Sequence, residues 1–351
     1  MSTAVDTASP TAPEPPTRPA GRFSELLRAE VHRLLARSFI RVVLALAVLG
    51  WLGAVVLALT QFSSPTPERL AEARTAMQQS VALSERFRQD CLDDPARPAE
   101  ISGDDWCGPA QTVADLRAAD FLDPPAFSLA AAGVEGAIAV GVLSAMLAFL
   151  LGATFVGAEW SSRSIVAQLF WEPRRARVMG AKLLVAAAAS VVLGVLAQLA
   201  WPATAGLLQA LVGDGAPLPD DFWPELAAAA GRGVLLTLLA GLLGLGLTNL
   251  VRNTGAALGI GFVYFAVLET AVNVLRPAWQ PWLLTNNAAA LALPGGLELS
   301  RPVETVDAAG RPVLESAVYV LGSVQAGVYL GLVTAAITGL GVVLFARRDV
   351  H

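Results

Sequence analysis

Residues 157–182, GAEWSSRSIVAQLFWEPRRARVMGAK, set a short charged helix-and-turn pattern between two long apolar runs. Ile165, Val166, Leu169 and Phe170 recur at helical spacing, Ser161 and Ser162 are placed to cap the start, and Pro173 stops the turn before the next apolar run begins. The pattern reads as two membrane spans joined by a basic, helix-bearing loop. Arg163, Arg174, Arg175, Arg177 and Lys182 satisfy the rule that basic loops stay on the cytoplasmic side, so topology alone accounts for their charge. The apolar helical face adds a surface on which a soluble partner can dock.

The rest of the chain agrees with a membrane setting. Apolar residues make up 55% of the 351 and charged residues 15%, far from a soluble globular balance, which leaves no room for a large soluble enzyme. The net charge of -5 hides an asymmetry, because the acids crowd one loop while the arginines gather elsewhere. Nucleic acid is not an expected partner. Lys182 is the sole lysine, a bias attributable to coding composition, and no function is drawn from it. Residues 1–21 are rich in Pro, Thr and Ala and have no apolar signal core, so they are expected to form a disordered cytoplasmic tail.

Working outward, residues 22–38 place Phe23, Leu26, Leu27, Val31, Leu34 and Leu35 on one helical face and Arg22, Glu25, Arg28, Arg33 and Arg37 around the other. This is an amphipathic helix expected in the inner membrane interface. Six spans follow, at 39–61, 129–157, 182–212, 226–250, 255–275 and 320–345, each long enough for a hydrocarbon core of about 30 Å. The expected fold is an all-α integral membrane protein of the inner (plasma) membrane with both termini cytoplasmic. The six-span domain fills 39–351 and carries its coupling segment at 158–181.

The loop 62–128 is acidic and Pro-punctuated, with a helical stretch at 68–90, and is expected outside. It holds the only two cysteines, Cys91 and Cys107. A disulfide between them would contribute about 3 kcal/mol and place the loop in an oxidising compartment; two unrelated free thiols are the alternative. A second acidic turn, 213–225, returns to the same side. Residues 276–299, with Trp279, Trp282, Asn286 and Asn287, suggest an interfacial or re-entrant helix, and 303–316 a β-hairpin turning at Asp307-Ala308-Ala309-Gly310. Gly255 and Gly259, and Gly327, Gly331, Ala335 and Gly339, have the small-residue spacing of close helix contacts, although glycine is also simply frequent in spans.

Catalytic machinery is not assembled by the pattern. His32 and His351 are the only histidines, no zinc or other metal ligand set and no Gly-x-Ser-x-Gly elbow is present, and Gly180-Ala181-Lys182-Leu183 is not a phosphate loop. Three ionisable residues fall within spans, Glu135, Arg232 and Glu269, all at comparable depth in the outer half. They are expected to form one cluster with Arg232 paired to Glu269 or Glu135. Such a cluster is either a lock between helices or a polar patch along a transport path.

The loop wording resembles the first cytoplasmic loop of type-2 ATP-binding-cassette (ABC) exporter permeases. In that family a Glu leaves the second span, a short helix follows, and a Pro/Arg turn leads to a Lys opening the third span. Here these are Glu159, the helix 162–171, Pro173-Arg174-Arg175 and Lys182. The amphipathic helix before the first span, the turn Leu250-Val251-Arg252-Asn253-Thr254-Gly255, the Trp/Asn element and the terminal Phe345-Ala346-Arg347-Arg348-Asp349 follow in the same order. The loop 62–128 is longer than such permeases commonly carry and lies outside the resemblance.

The resemblance implies a permease that dimerises with a second copy, sits in membrane lipid and binds two copies of a separate ABC ATPase subunit. ATP and Mg would enter only through that subunit. Residues implied at the ATPase contact are Glu159, Arg163, Ile165, Val166, Leu169, Phe170, Pro173, Arg174 and Arg175. Two readings compete with it: a membrane anchor passing force or signal to an outer partner through 62–128, and an ion-coupled transporter using Glu135 or Glu269. The transported substrate has no signature in the sequence.

Overall fold

The computed structural model describes residues 23–96, 98, 101–306 and 311–347. The expected tail 1–21, Arg22, the hairpin turn 307–310 and Arg348-Asp349 lie outside the described residues. The protein is an all-α, six-span membrane protein, with six helices among the described residues long and apolar enough to cross a bilayer.

Helix α1 (Phe23–Ala36) precedes the first span, α2 (Ser38–Gln61), with Arg37 extended between them. Two helices lie in the long loop, α3 (Pro67–Leu92) and α4 (Gly103–Cys107). The second span is α5 (Leu129–Ser161), followed by the short α6 (Ser164–Trp171), the third span α7 (Arg175–Val212) and the fourth, α8 (Phe222–Val251). The fifth span is built from α9 (Thr254–Phe262), a π-helical stretch (Val263–Leu268) and α10 (Glu269–Leu275). After a 3-10 turn at Pro277–Trp282 come α11 (Leu284–Ala292), strands β1 (Leu297–Val306) and β2 (Pro312–Leu321), and the last span α12 (Ser323–Arg347). The hairpin is therefore longer than 303–316: its antiparallel register runs from Leu297 opposite Leu321 to Val306 opposite Pro312.

Helices α5 and α8 form the core of the bundle because both carry small residues every fourth position. These are Gly133, Ala137, Gly141 and Ala145 on α5, and Ala229, Gly233, Thr237 and Gly241 on α8. Backbones meet where glycine faces glycine. A Cβ on Gly141 would stand 2.9 Å from the Gly233 Cα, and one on Gly152 only 2.1 Å from the Gly241 carbonyl oxygen. Buried polar groups are paired across the same seam, Ser144 Oγ to Thr237 Oγ1 at 2.7 Å. Helix α7 joins through Gln198 Nε2 donating to the Ala137 carbonyl at 2.9 Å. Of the glycines singled out in spans five and six, Gly327 has Leu291 Cδ1 3.4 Å from where its Cβ would stand, an ordinary contact and not a backbone approach. A Cβ at Gly259, Gly331 or Gly339 would meet open space, because these positions face away from the rest of the chain.

Helix α2 stands apart, with Ile40 its only buried residue. It is fastened by the Trp51 Nε1 bond to Thr204 Oγ1 at 3.1 Å, and Ala58 and Phe62 join the cluster around Phe127, Ala205 and Leu208. The described residues of the loop 62–128 form a small folded unit. Thr66 caps α3, Cys91 and Cys107 form the expected disulfide with Cα atoms 5.8 Å apart, and Arg88 bonds Asp104 at 2.6 Å and the Gly108 carbonyl at 3.2 Å. Phe127 and Asp214 tie the loop to the end of α7, through Phe127 N–H to the Val212 carbonyl and Asp214 N–H to the Phe127 carbonyl, both 2.9 Å. This is termed the disulfide end; the opposite end, with α1, α6 and the end of α12, is termed the basic end.

Candidate functional site

At the basic end the single lysine is sealed inside the protein. Lys182 lies two turns into α7, 0% exposed, with its Nζ 2.8 Å from Glu30 Oε2 and 2.6 Å from Glu159 Oε2. Glu30, also 0% exposed, uses its other oxygen to accept from Arg33 Nη1 at 2.8 Å and from Gln168 Nε2 at 2.5 Å. Glu159 Oε1 accepts from Arg37 Nη2 at 3.0 Å, and Arg37 Nη1 donates to the Thr154 carbonyl at 2.9 Å. The buried ring of Phe155 lies 5.4 Å from both the Arg37 guanidinium carbon and Lys182 Nζ. One network therefore ties together α1, α5, α6 and α7. Buried charges persist only when paired and hydrogen-bonded, and here each carboxylate has two cations.

Two signals for this network stand in the sequence. Glu30 falls on the apolar stripe of the first helix, one turn from Leu26, Leu27 and Leu34, where an acid has no reason to be unless something meets it. Lys182 is the sole lysine of the chain and opens a long apolar run. Their partnership is hidden because the two residues are 152 apart in sequence. The apolar stripe of α1 is itself divided: Leu27 and Leu34 pack on the cluster of Phe155, Val185, Ala186 and Leu245, while Val31 and Leu35 remain exposed.

The segment 158–181 separates into a buried and an exposed half. Ile165 packs with Met179 and Phe345, with Val166 and Leu169 at the margin of the same cluster, and Trp160 meets Phe345 edge to face at 5.9 Å. Phe170 and Trp171 project outward, 84% and 79% exposed. Arg163 and Arg174 are exposed, as is Pro173, which follows an extended Glu172; Arg175 Nη1 lies 3.5 Å from the Phe345 carbonyl.

Two expectations are corrected. The helix begins at Ser164, not 162, and the serines do not cap it; Ser161 and Ser162 both donate to the Ala158 carbonyl, while Arg163, in the left-handed region at φ 53°, makes the junction. Glu159 is not a surface residue a soluble subunit can touch, since it is 4% exposed and engaged by Arg37 and Lys182.

Among the described residues no ion pair joins Glu135, Arg232 and Glu269. Glu269 instead accepts from the backbone N–H groups of Leu284, at 2.6 Å, and Thr285, at 3.2 and 3.1 Å to its two oxygens. The start of α11 has free N–H groups that must find an acceptor inside the bundle, and an anion at a helix N-terminus meets both needs. Glu135 is exposed on α5, and Arg232 keeps a buried Nε without a hydrogen-bond partner.

An open cavity of about 450 Å³ lies between α1 and α6, walled by Arg33, Arg37, Glu159, Ser164, Gln168 and Trp171. No group of His, Cys, Asp or Glu among the described residues is arranged to hold a metal ion. No protein-family model, curated protein or solved structure matches the chain.

Proposed function

We propose that this protein is the membrane-spanning permease of an ATP-driven ABC exporter, receiving the work of ATP hydrolysis from a separate ATPase subunit at α6. The observation that carries this reading is the attachment of α6: an exposed Phe170-Trp171 tip on a helix whose buried side is joined through Gln168 to Glu30, and through Glu30 to Lys182 on α7. A push on the tip is delivered to α1 and to two spans at once, since the same network includes Glu159 on α5. Paired, hydrogen-bonded charges resist being pulled apart, so the four elements move together and not one at a time.

In this reading the basic end is cytoplasmic, the disulfide end faces the oxidising outer side of the inner membrane, and two copies of the chain meet two ATPase subunits that supply ATP and Mg. Exposed aromatic side chains are favoured anchors at protein interfaces, and Phe170 and Trp171 are the pair that an ATPase groove would receive. The disulfide-closed loop supports a second reading, a membrane anchor that passes ATPase-driven motion to an outer partner without transport.

The test is purification from the native host in mild detergent, with identification of co-purifying proteins and an ATPase assay in proteoliposomes. The permease reading expects a stoichiometric nucleotide-binding subunit. It also expects a Glu30→Gln variant that keeps the subunit while losing the coupling of hydrolysis to transport. A preparation without an ATPase defeats both readings; one whose activity depends wholly on the loop and moves nothing favours the anchor.

A further inference from the structure

The cavity between α1 and α6 faces guanidinium groups that the ion network does not exhaust. Three cations, Arg33, Arg37 and Lys182, stand against two carboxylates, Glu30 and Glu159, which leaves one positive charge in excess. Lys182 and Glu30 are sealed, and both oxygens of Glu159 already face cations, so the charge that reaches the cavity belongs to Arg33, whose side chain is 44% exposed, and to Arg37. Among the described residues Arg33 donates only from Nη1, to Glu30, which leaves its other donors for the cavity.

We propose that this cavity binds the phosphodiester of an anionic glycerophospholipid. Arg33 from α1 and Arg37 from the extended junction after it both line the cavity, and planar guanidinium forks suit phosphate oxygens better than an ammonium does. Ser164 lines the opposite wall, its hydroxyl 3.0 Å from Ser162 Oγ, whose single hydrogen goes to the Ala158 carbonyl at 2.7 Å, so the donors free to meet an anion are those of the two guanidinium groups. The volume falls in the range of small-molecule sites.

A soluble phosphate would be held by the same donors, but the surroundings favour a lipid. Beside Ala36 begins an exposed apolar strip, Leu35, Phe39, Val42 and Leu46, running from the end of α1 down the first span, where acyl chains would lie. The Trp171 indole at the cavity mouth is the kind of amphipathic ring found at headgroup level. A lipid held by Arg33 and Arg37 would fill the space between α1 and the α6 wall of Ser164, Ala167 and Trp171, so that lipid occupancy would hold α6 against the network behind it.

The experiment uses the full chain, delipidated in detergent, with no ATPase or nucleotide present, so its result is separate from that of the exporter reading. Thermal unfolding is followed while phosphatidylglycerol, phosphatidylcholine or inorganic phosphate is added. Phosphatidylglycerol is expected to raise the midpoint saturably, the other two to leave it in place, and Arg33→Gln to weaken the apparent affinity roughly tenfold. Ala167→Leu, on the exposed wall and outside the ion network, is expected to weaken it similarly and guards against misfolding of the charge variant. An equal response to phosphatidylcholine, a response to inorganic phosphate alone, or an affinity unchanged by both variants would overturn the lipid site.

Discussion

Lys182 and Glu30 face each other at 2.8 Å with neither side chain exposed to solvent, joining the helix that precedes the first span to the third span. Glu159 meets the same ammonium at 2.6 Å, so Lys182 is the one cation standing between two buried carboxylates. Its removal leaves both acids short of a counter-charge, whereas loss of Glu30 leaves a Lys182–Glu159 pair intact.

Lys182→Met is therefore expected to destabilise the protein by roughly 3–5 kcal/mol, and Glu30→Gln by distinctly less. Thermal unfolding in detergent measures the order. Equal losses, or a Lys182→Met variant within about 0.5 kcal/mol of the parent, would show that the network does not hold this end together.

Phe170 and Trp171 are expected to separate binding from folding. Both are exposed on α6, so replacement by alanine should alter unfolding by no more than about 0.5 kcal/mol. The same replacements should weaken capture of the ATPase subunit roughly tenfold or more, as truncation of aromatic interface anchors does. Binding titrations with the purified subunit check this, and unchanged affinity would remove the tip from the interface.

Glu269 should behave as a helix cap. Glu269→Gln weakens the acceptor that holds the Leu284 and Thr285 N–H groups and is expected to cost about 1–2 kcal/mol, while Glu135→Gln, on an exposed face, should cost much less. Unfolding of the two variants decides between a cap and a three-residue charge cluster, because a cluster would make both losses alike.

Asp214 fastens the long loop at the disulfide end. Burial pushes its carboxyl up, but the hydrogen bonds from the Ala216 N–H, Gln209, Arg117 and Ser128 together outweigh that and hold it below the usual carboxylate value. A depressed value means that the stabilisation is fully present above the unfolded carboxyl's range, about 3.9, and is lost as pH falls through the folded value. The parent should thus lose more stability than Asp214→Asn between about pH 6 and pH 3, read from unfolding midpoints across that window. A parent and variant with parallel pH profiles would contradict the assignment.

Much of the architecture was legible because spans are written in long apolar runs, and the cysteine pair and short α6 were visible for equally local reasons. The site was legible only in part. Helical spacing identified Ile165 and Leu169 as a face, and they are the buried face, while the neighbouring Phe170 turned out to be the exposed tip. The serines before α6 looked like caps by position, yet the left-handed Arg163 breaks the register and sends their hydroxyls back to Ala158. Charge depth was a poor guide to pairing. Glu135, Arg232 and Glu269 were grouped by their distance along each span, but rotation about the helix axis decides partners, and Glu269 found backbone N–H groups in place of an arginine. Lys182 was set aside as a compositional accident, although Glu30 on an apolar stripe was the complementary anomaly.

The most direct test of the account is a cross-link from the α6 tip. Cys91 and Cys107 are bonded to each other, so Phe170→Cys introduces a lone reactive thiol. Membranes from the native host carrying this variant, treated with a short thiol cross-linker, are predicted to yield an adduct with a nucleotide-binding ATPase. A Phe87→Cys control at the exposed Phe87 of the disulfide end should yield no such adduct. Absence of an ATPase adduct from position 170, or its appearance from position 87, would contradict the assignment of α6 as the face that receives the ATPase.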